Sequence, residues 1–176
     1  MNHIARMLGA AALIVGTSVA VSAAANEGPS DAEIAHIAYT AGQIDVDAAR
    51  QALAKSQNAE VRSFATTMVR DHEAVNDKAL ALVKKLGVTP TDNATSKALA
   101  KQARETEAKL AALNGVDFDL AYANNEVAFH RTVNGALASN LIPSADNSEL
   151  KALLQTGASL FGEHQAHAEQ LAAGLK

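Results

Sequence analysis

The chain has 176 residues, no cysteine, no tryptophan and 3% aromatic residues, and its 15 basic against 19 acidic residues give a net charge of −4. This excludes a disulfide framework and a base-stacking or sugar-stacking platform, and without a basic cluster nucleic acid and anionic lipid are poor partners. The length fits one folded domain that buries a sizeable core unaided.

Residues 1–25 read as a secretory signal peptide. Arg6 gives a positive start, residues 7–21 are apolar but short for a membrane span, and Val21-Ser22-Ala23 and Ala23-Ala24-Ala25 offer small-residue cleavage sites. A retained anchor is the competing reading, disfavoured by the short run and the small residues after it. No cysteine follows that could carry a lipid. The folded domain is then 26–176, in a bacterial periplasm or outside the cell, with no transmembrane segment after cleavage. Losing Arg6 leaves 14 basic against 19 acidic residues, a net charge of −5.

The remainder lacks runs of β-branched residues and reads as all-α. The first helix spans about 30–55. Ser30-Asp31-Ala32-Glu33 is a capping box, and Ile34, Ile37, Ala38, Ala41, Ile44, Ala48 and Ala52 make one apolar face. The second spans about 58–86, from an Asn58 cap to Gly87 and Pro90. Its apolar seam is Val61, Ala65, Met68, His72, Val75, Ala79, Leu82 and Leu86, spaced alternately by four and three. One seam position is a histidine.

The third helix, about 96–113, carries only a thin stripe of Leu99, Ala103, Thr106, Leu110 and Leu113, which marks it as peripheral. The fourth, about 116–140, buries Phe118, Tyr122, Phe129, Val133, Ala136 and Leu137, and Leu141-Ile142-Pro143 is expected to end it. The fifth, about 147–173, turns Leu150, Leu153, Leu154, Gly157, Leu160, Phe161, His164, Ala168 and Leu171 inward. Two short-loop hairpins joined by a long crossover give a ferritin-like four-helix bundle, with helix 96–113 in the crossover; a plain up-down bundle is the alternative.

At about 100° per residue, His164 and His72 lie within about 20–30° of their helices' apolar centres, Asp45 about 40° off and Glu126 about 40–60° off. His130 and His167 fall at the stripe edge, about 80–100° away. Ferritin-like topology sets Asp45, Glu126 and His164 about 13–15 Å deep and His72 and His130 about 21 Å deep, one belt less than two turns tall. Glu126-x-x-x-His130 and His164-x-x-His167 have chelating spacing. The candidate ligands are His72, His130, His164, Glu126 and Asp45, with His167 as a further possibility. The bland reading is a set of core histidines bonded to each other, to Asp45 or to Tyr122. Asp71, Glu73 and Asn76 flank the seam and are expected to be solvated or to contact a neighbour.

Glu33-Ile34-Ala35-His36 spells the Glu-x-x-His of di-iron carboxylate proteins, but Glu33 belongs to the capping box and His36 points about 140° from the core face. No other Glu-x-x-His occurs, so the chain lacks a complete di-iron motif, and it shows no other catalytic constellation. A histidine-rich site with one or two carboxylates better suits a single Zn, Fe, Cu or Ni ion.

The run Asn58-Ala59-Glu60-Val61-Arg62-Ser63-Phe64-Ala65, then Met68-Val69-Arg70-Asp71-His72 and Asn76, resembles a bacterial secreted or envelope family catalogued as domain of unknown function 4142, in the ferritin-like group. Phe118-Asp119-Leu120-Ala121-Tyr122, His130 and His164 match its later landmarks. The resemblance covers about 31–171, and implies a ferritin-like bundle and an envelope location but no established activity. Asp45 stands where the family is expected to carry Glu, which shortens the reach of a carboxylate there. Two functional expectations follow: a periplasmic metal-binding bundle, or a non-catalytic envelope or stress-related protein whose histidines form a hydrogen-bonded polar layer.

Overall fold

The computed structural model describes residues 28–175, so the expected signal peptide lies outside the described residues. Helix α1 (Asp31–Lys55) begins at the capping box: Ser30 Oγ accepts from the Glu33 N–H, and Glu33 accepts from the Ser30 N–H at 3.0 Å. Helix α2 (Ala59–Leu86) is capped by Asn58, whose side chain accepts from the Glu60 and Val61 N–H groups. It stops at Gly87, where φ is 65°, a left-handed conformation that costs glycine nothing. Helix α3 (Ala94–Ala111) starts two residues before the expected position, because Asn93 and Ser96 cap one another.

Helix α4 (Gly115–Ala136) runs into a π-turn at Leu137–Leu141, and the chain stays helical through α5 (Ile142–Ser144) before α6 (Ser148–Gly174). This corrects the expected stop at Leu141-Ile142-Pro143. Proline has no N–H for a regular helical bond, but here it sits in the first turn of α5, where that donor is not required. The π-turn shifts the register ahead of it.

Contacts at the two ends set the topology. At one end the Asp31 carboxylate accepts from the backbone N–H groups of Asp146 and Asn147, both at 2.9 Å, and Lys85 pairs with Glu149 at 2.6 Å. At the other end Lys55 donates to the Ala111 carbonyl at 2.6 Å, and its ammonium lies 5.6 Å from the Phe118 ring centre. Helices α1 and α2 are therefore one antiparallel hairpin and α4 and α6 another. The sides are closed by α2 against α6 and α1 against α4, while α3 lies along α1. The chain is a ferritin-like four-helix bundle with a peripheral crossover helix. No described helix is long and apolar enough to cross a membrane.

Its interior is divided. One apolar cluster gathers Phe64, Met68, Phe118, Tyr122 and Ala168 near the α1–α2 turn. A second gathers Ile34, Leu137, Leu141, Leu150 and Phe161 near the π-turn. The fully buried Phe64, Phe118 and Tyr122 rings contribute the most, about 2–3 kcal/mol each from area alone. Between the clusters lies a polar layer.

Candidate metal centre

Each long helix sends polar side chains into that layer. Asp45 comes from α1, His72 from α2, Glu126 and His130 from α4, and His164 from α6, and all five are at most 3% exposed. Glu126 and His130 are one helical turn apart, so both reach the interior from one face of α4. His130 was expected at the stripe edge. It is buried because the inward stripe of α4 runs through Phe118, Tyr122, Glu126 and His130, while Phe129, expected on that stripe, is only half-buried.

The three imidazoles form a near-regular triangle. Ring centres are 5.6 Å apart for His72–His130, 5.2 Å for His72–His164 and 5.5 Å for His130–His164. Phe161 backs the triangle, its ring stacked on His72 at 4.7 Å and 10°. One ligand atom from each histidine lies within 4.8 Å of the others, and the same holds for Asp45, Glu126 and His130.

Hydrogen bonding fixes which nitrogens remain bare. His130 Nδ1 lies 3.0 Å from the Glu126 carbonyl oxygen, so it carries the proton and Nε2 is left without a partner. His164 Nε2 donates to Asp71 Oδ2 at 3.1 Å, which leaves Nδ1 bare. His72 makes no hydrogen bond through either nitrogen; its Nε2 is 3.5 Å from Asp45 Oδ2. The rings are thus oriented as neutral lone-pair donors toward one another.

The electrostatics agree. Burial pushes His72 down to about 2 and His130 to about 4, with the neighbouring rings adding to the shift. Burial also lowers His164, opposed by Asp71. The acids move the other way. Burial raises Asp45 well above its usual range, and Glu126 beside it adds to the rise. Burial lifts Glu126 to about 7. Both Glu126 oxygens, Asp45 Oδ1 and the Tyr122 hydroxyl find no hydrogen-bond partner. Orphaned buried polar atoms at this density are costly and need a ligand or a proton.

Of the expected ligands, His72, His130, His164, Glu126 and Asp45 come together. His167 does not: it is exposed on α6 and packs edge-on against Phe64 at 5.1 Å. His36 stays apart, as its angular position requires. Asp71 was read as a flanking residue, solvated or touching a neighbour, and that underrated it. One residue before His72, it turns toward α6 and meets His164, while Arg70 clamps its outer edge at 2.7 and 3.0 Å. The Arg70 guanidinium, with His164, holds this carboxyl below its usual range. Asp71 stands behind the His164 imidazole as do the carboxylates that commonly fix the tautomer and ring angle of metal-ligand histidines. Asp71→Ala is expected to weaken metal affinity by about 10–100-fold, read by competition titration, while the metal-free protein keeps its melting temperature within a few degrees.

The donor set of three neutral imidazoles beside two carboxyls suits a borderline transition metal, and it offers no nucleophile and no phosphate cradle. Among solved structures, the chain is similar to "CopM in the Cu(II)-bound form", with a TM-score of 0.64 and 16% identity, covering 85% of this chain and 99% of that one. At that identity the likeness speaks for the fold. No curated protein matches the chain. The model of the family described as "Domain of unknown function (DUF4142)" matches residues 16–171. The chain therefore belongs to the DUF4142 family.

Proposed function

We propose that this is a periplasmic or secreted metal-binding protein that holds one transition-metal ion in the buried belt, with His72, His130 and His164 as ligands. Glu126 and Asp45 stand beside them as carboxylate ligands or as acceptors that tune the site, and the role is metal handling. The observation that carries this reading is that one ring nitrogen from each of three buried histidines lies within 4.8 Å of the others, while every ring keeps a nitrogen without a hydrogen-bond partner. A triangle of that side has its centre about 2.8 Å from each corner, so sub-ångström closure reaches the roughly 2.0–2.1 Å of a metal–imidazole bond. Imidazole suits Zn, Cu, Fe and Ni alike. The similarity to a chain solved in a Cu(II)-bound form makes copper the first ion to test. Envelope location is supported by the signal-peptide pattern in residues 1–25.

Elemental analysis of protein purified from its native compartment tests the reading. The expected result is close to one equivalent of metal, and a fall in melting temperature of roughly 10 °C on chelation, since saturation at a thousand times Kd stabilises by about 4 kcal/mol. Metal-free protein that takes up no ion and melts unchanged after chelation overturns it.

A second reading has its own support. The contacts of His130 with the Glu126 carbonyl, His164 with Asp71, and His72 near Asp45 also describe a polar layer fixing helix register. A non-catalytic envelope or stress-related interaction protein fits that layer. The double variant His72→Leu, His164→Leu separates the two. If the layer is only structural, the variant keeps function in the host and matches or exceeds the parent's stability. If metal is the purpose, it is stable but functionally null.

A further inference from the structure

The half of the bundle beyond the belt is not fully packed. A pocket of ≈ 180 Å³ lies there, with Phe161 in its lining. All four long helices and the start of α3 wall it. Small side chains on one side, among them Ala38, Ala41 and Ala79, face Leu150 and Leu154 on the other. Protein interiors pack at crystal density with few voids larger than a water molecule, so a space of this size in a small bundle calls for an occupant.

Two local features hold it open. Gly157 lies under Phe161, and a Cβ there would stand 3.3 Å from the ring's Cε2, so any side chain would displace the ring. A glycine inside a helix is otherwise unfavourable. The π-turn is the second feature. It brings Leu137 and Leu141 into the lining, and π-turns within helices concentrate at functional sites.

The walls state the ligand's chemistry. No ionisable side chain lines the pocket; its polar members are Asn76, Thr95, Thr132 and Asn140. A charged ligand would be buried without a counter-ion, which is prohibitive. An apolar cavity of about 150 Å³ lined by aliphatic and aromatic side chains accepts benzene. A volume of ≈ 180 Å³ leaves room for one ring with a small substituent. Phe161 lines the pocket and stacks on His72, so a molecule seated against it is one aromatic ring away from the imidazole triangle.

We propose that this pocket is a binding site for a small neutral apolar molecule, about the size of a substituted benzene ring, seated against Phe161 beside the histidine cluster. The site is independent of whether the cluster binds metal. The test uses the metal-free mature protein with toluene as probe and benzoate as the charged control, followed by NMR titration and thermal melting. Toluene is expected to bind saturably, to raise the melting temperature and to shift the His72 ring resonances through Phe161; benzoate at the same concentration is expected to do none of these. Ala41→Leu, which fills the pocket, is expected to weaken toluene binding at least tenfold. Leu154→Ala, which enlarges it, is expected to bind toluene more tightly than the parent, and it keeps the test decisive should Ala41→Leu fail to fold. Absence of saturable toluene binding overturns the proposal, as does equal binding of benzoate. Toluene affinity left unchanged by whichever of the two variants folds overturns it too.

Discussion

His72→Ala protein, prepared as the parent is, is expected to carry no metal, and titrated metal is expected to bind it more weakly by well over the roughly 10–100-fold typical of losing a partner behind a ligand. His72 belongs to the group of three histidine donors that converge, and its loss leaves that group with two. Stability should change far less than affinity. The truncation leaves a cavity, which costs, but it also removes two ring nitrogens buried without a partner, each a desolvation penalty of about 1–3 kcal/mol. Affinity and stability therefore separate in this variant, which a purely structural histidine would not allow. His164→Ala should behave likewise. His167→Ala and His36→Ala, outside the triangle, should keep full metal content. Full stoichiometry in His72→Ala sinks the three-histidine assignment.

The metal-free protein is expected to be most stable near pH 6 and to unfold steeply in acid. Between about pH 6.5 and 4.5 the unfolded chain protonates His72, His130 and His164, whereas the fold holds His72 at about 2 and His130 at about 4 and lowers His164. In the same window the fold holds protons on Asp45 and Glu126 that the unfolded chain has released. Two rings and two carboxyls offset one another, so the lowered His164 tips the balance and stability falls gently as pH drops. Below about pH 4.5 the unfolded carboxylates are protonated too. The unfolded state's excess then grows and the loss steepens, offset in part as His130 accepts its proton near pH 4. Above pH 6.5 the sign reverses: the raised carboxyls must ionise inside the fold, and stability falls as pH rises through about 7. Denaturant melts from pH 4 to 8 measure the curve. A flat profile down to pH 4 would show that the rings are not held neutral.

Much of this molecule is legible in the sequence because helical periodicity is a long-range signal. The seam on α2 names its buried face residue by residue, and His72 stands on it. Caps at Ser30, Asn58 and Gly87 fix helix ends to within a residue. The site needed a second ingredient, the depth of each residue along its helix, and topology supplied it. Angular placement failed where the centre of a buried face was misjudged. His130 was placed too far out because Phe129 was counted in the inward stripe of α4, and His167 was kept as a possible ligand although its ring leaves the belt for Phe64. For Asp71 the choice between solvent and a neighbour stayed open, because a single helix cannot show that a carboxylate beside the seam meets a ring on α6. The π-turn leaves no periodic trace, and Pro143 signalled the break without its form.

The polar layer makes the bundle two apolar lobes threaded by the same four helices. In the metal-free protein the lobes meet across orphaned atoms, so the layer is a fault line, and the lobe with the open pocket is the weaker side. Hydrogen exchange is then expected in two tiers, with amides of the π-turn and the start of α6 opening before those around Phe64 and Tyr122. A cation gripped from α2, α4 and α6 would act as a rivet through that plane. It would merge two partial melts into one, so the ion would govern how cooperatively the molecule unfolds as well as how stable it is.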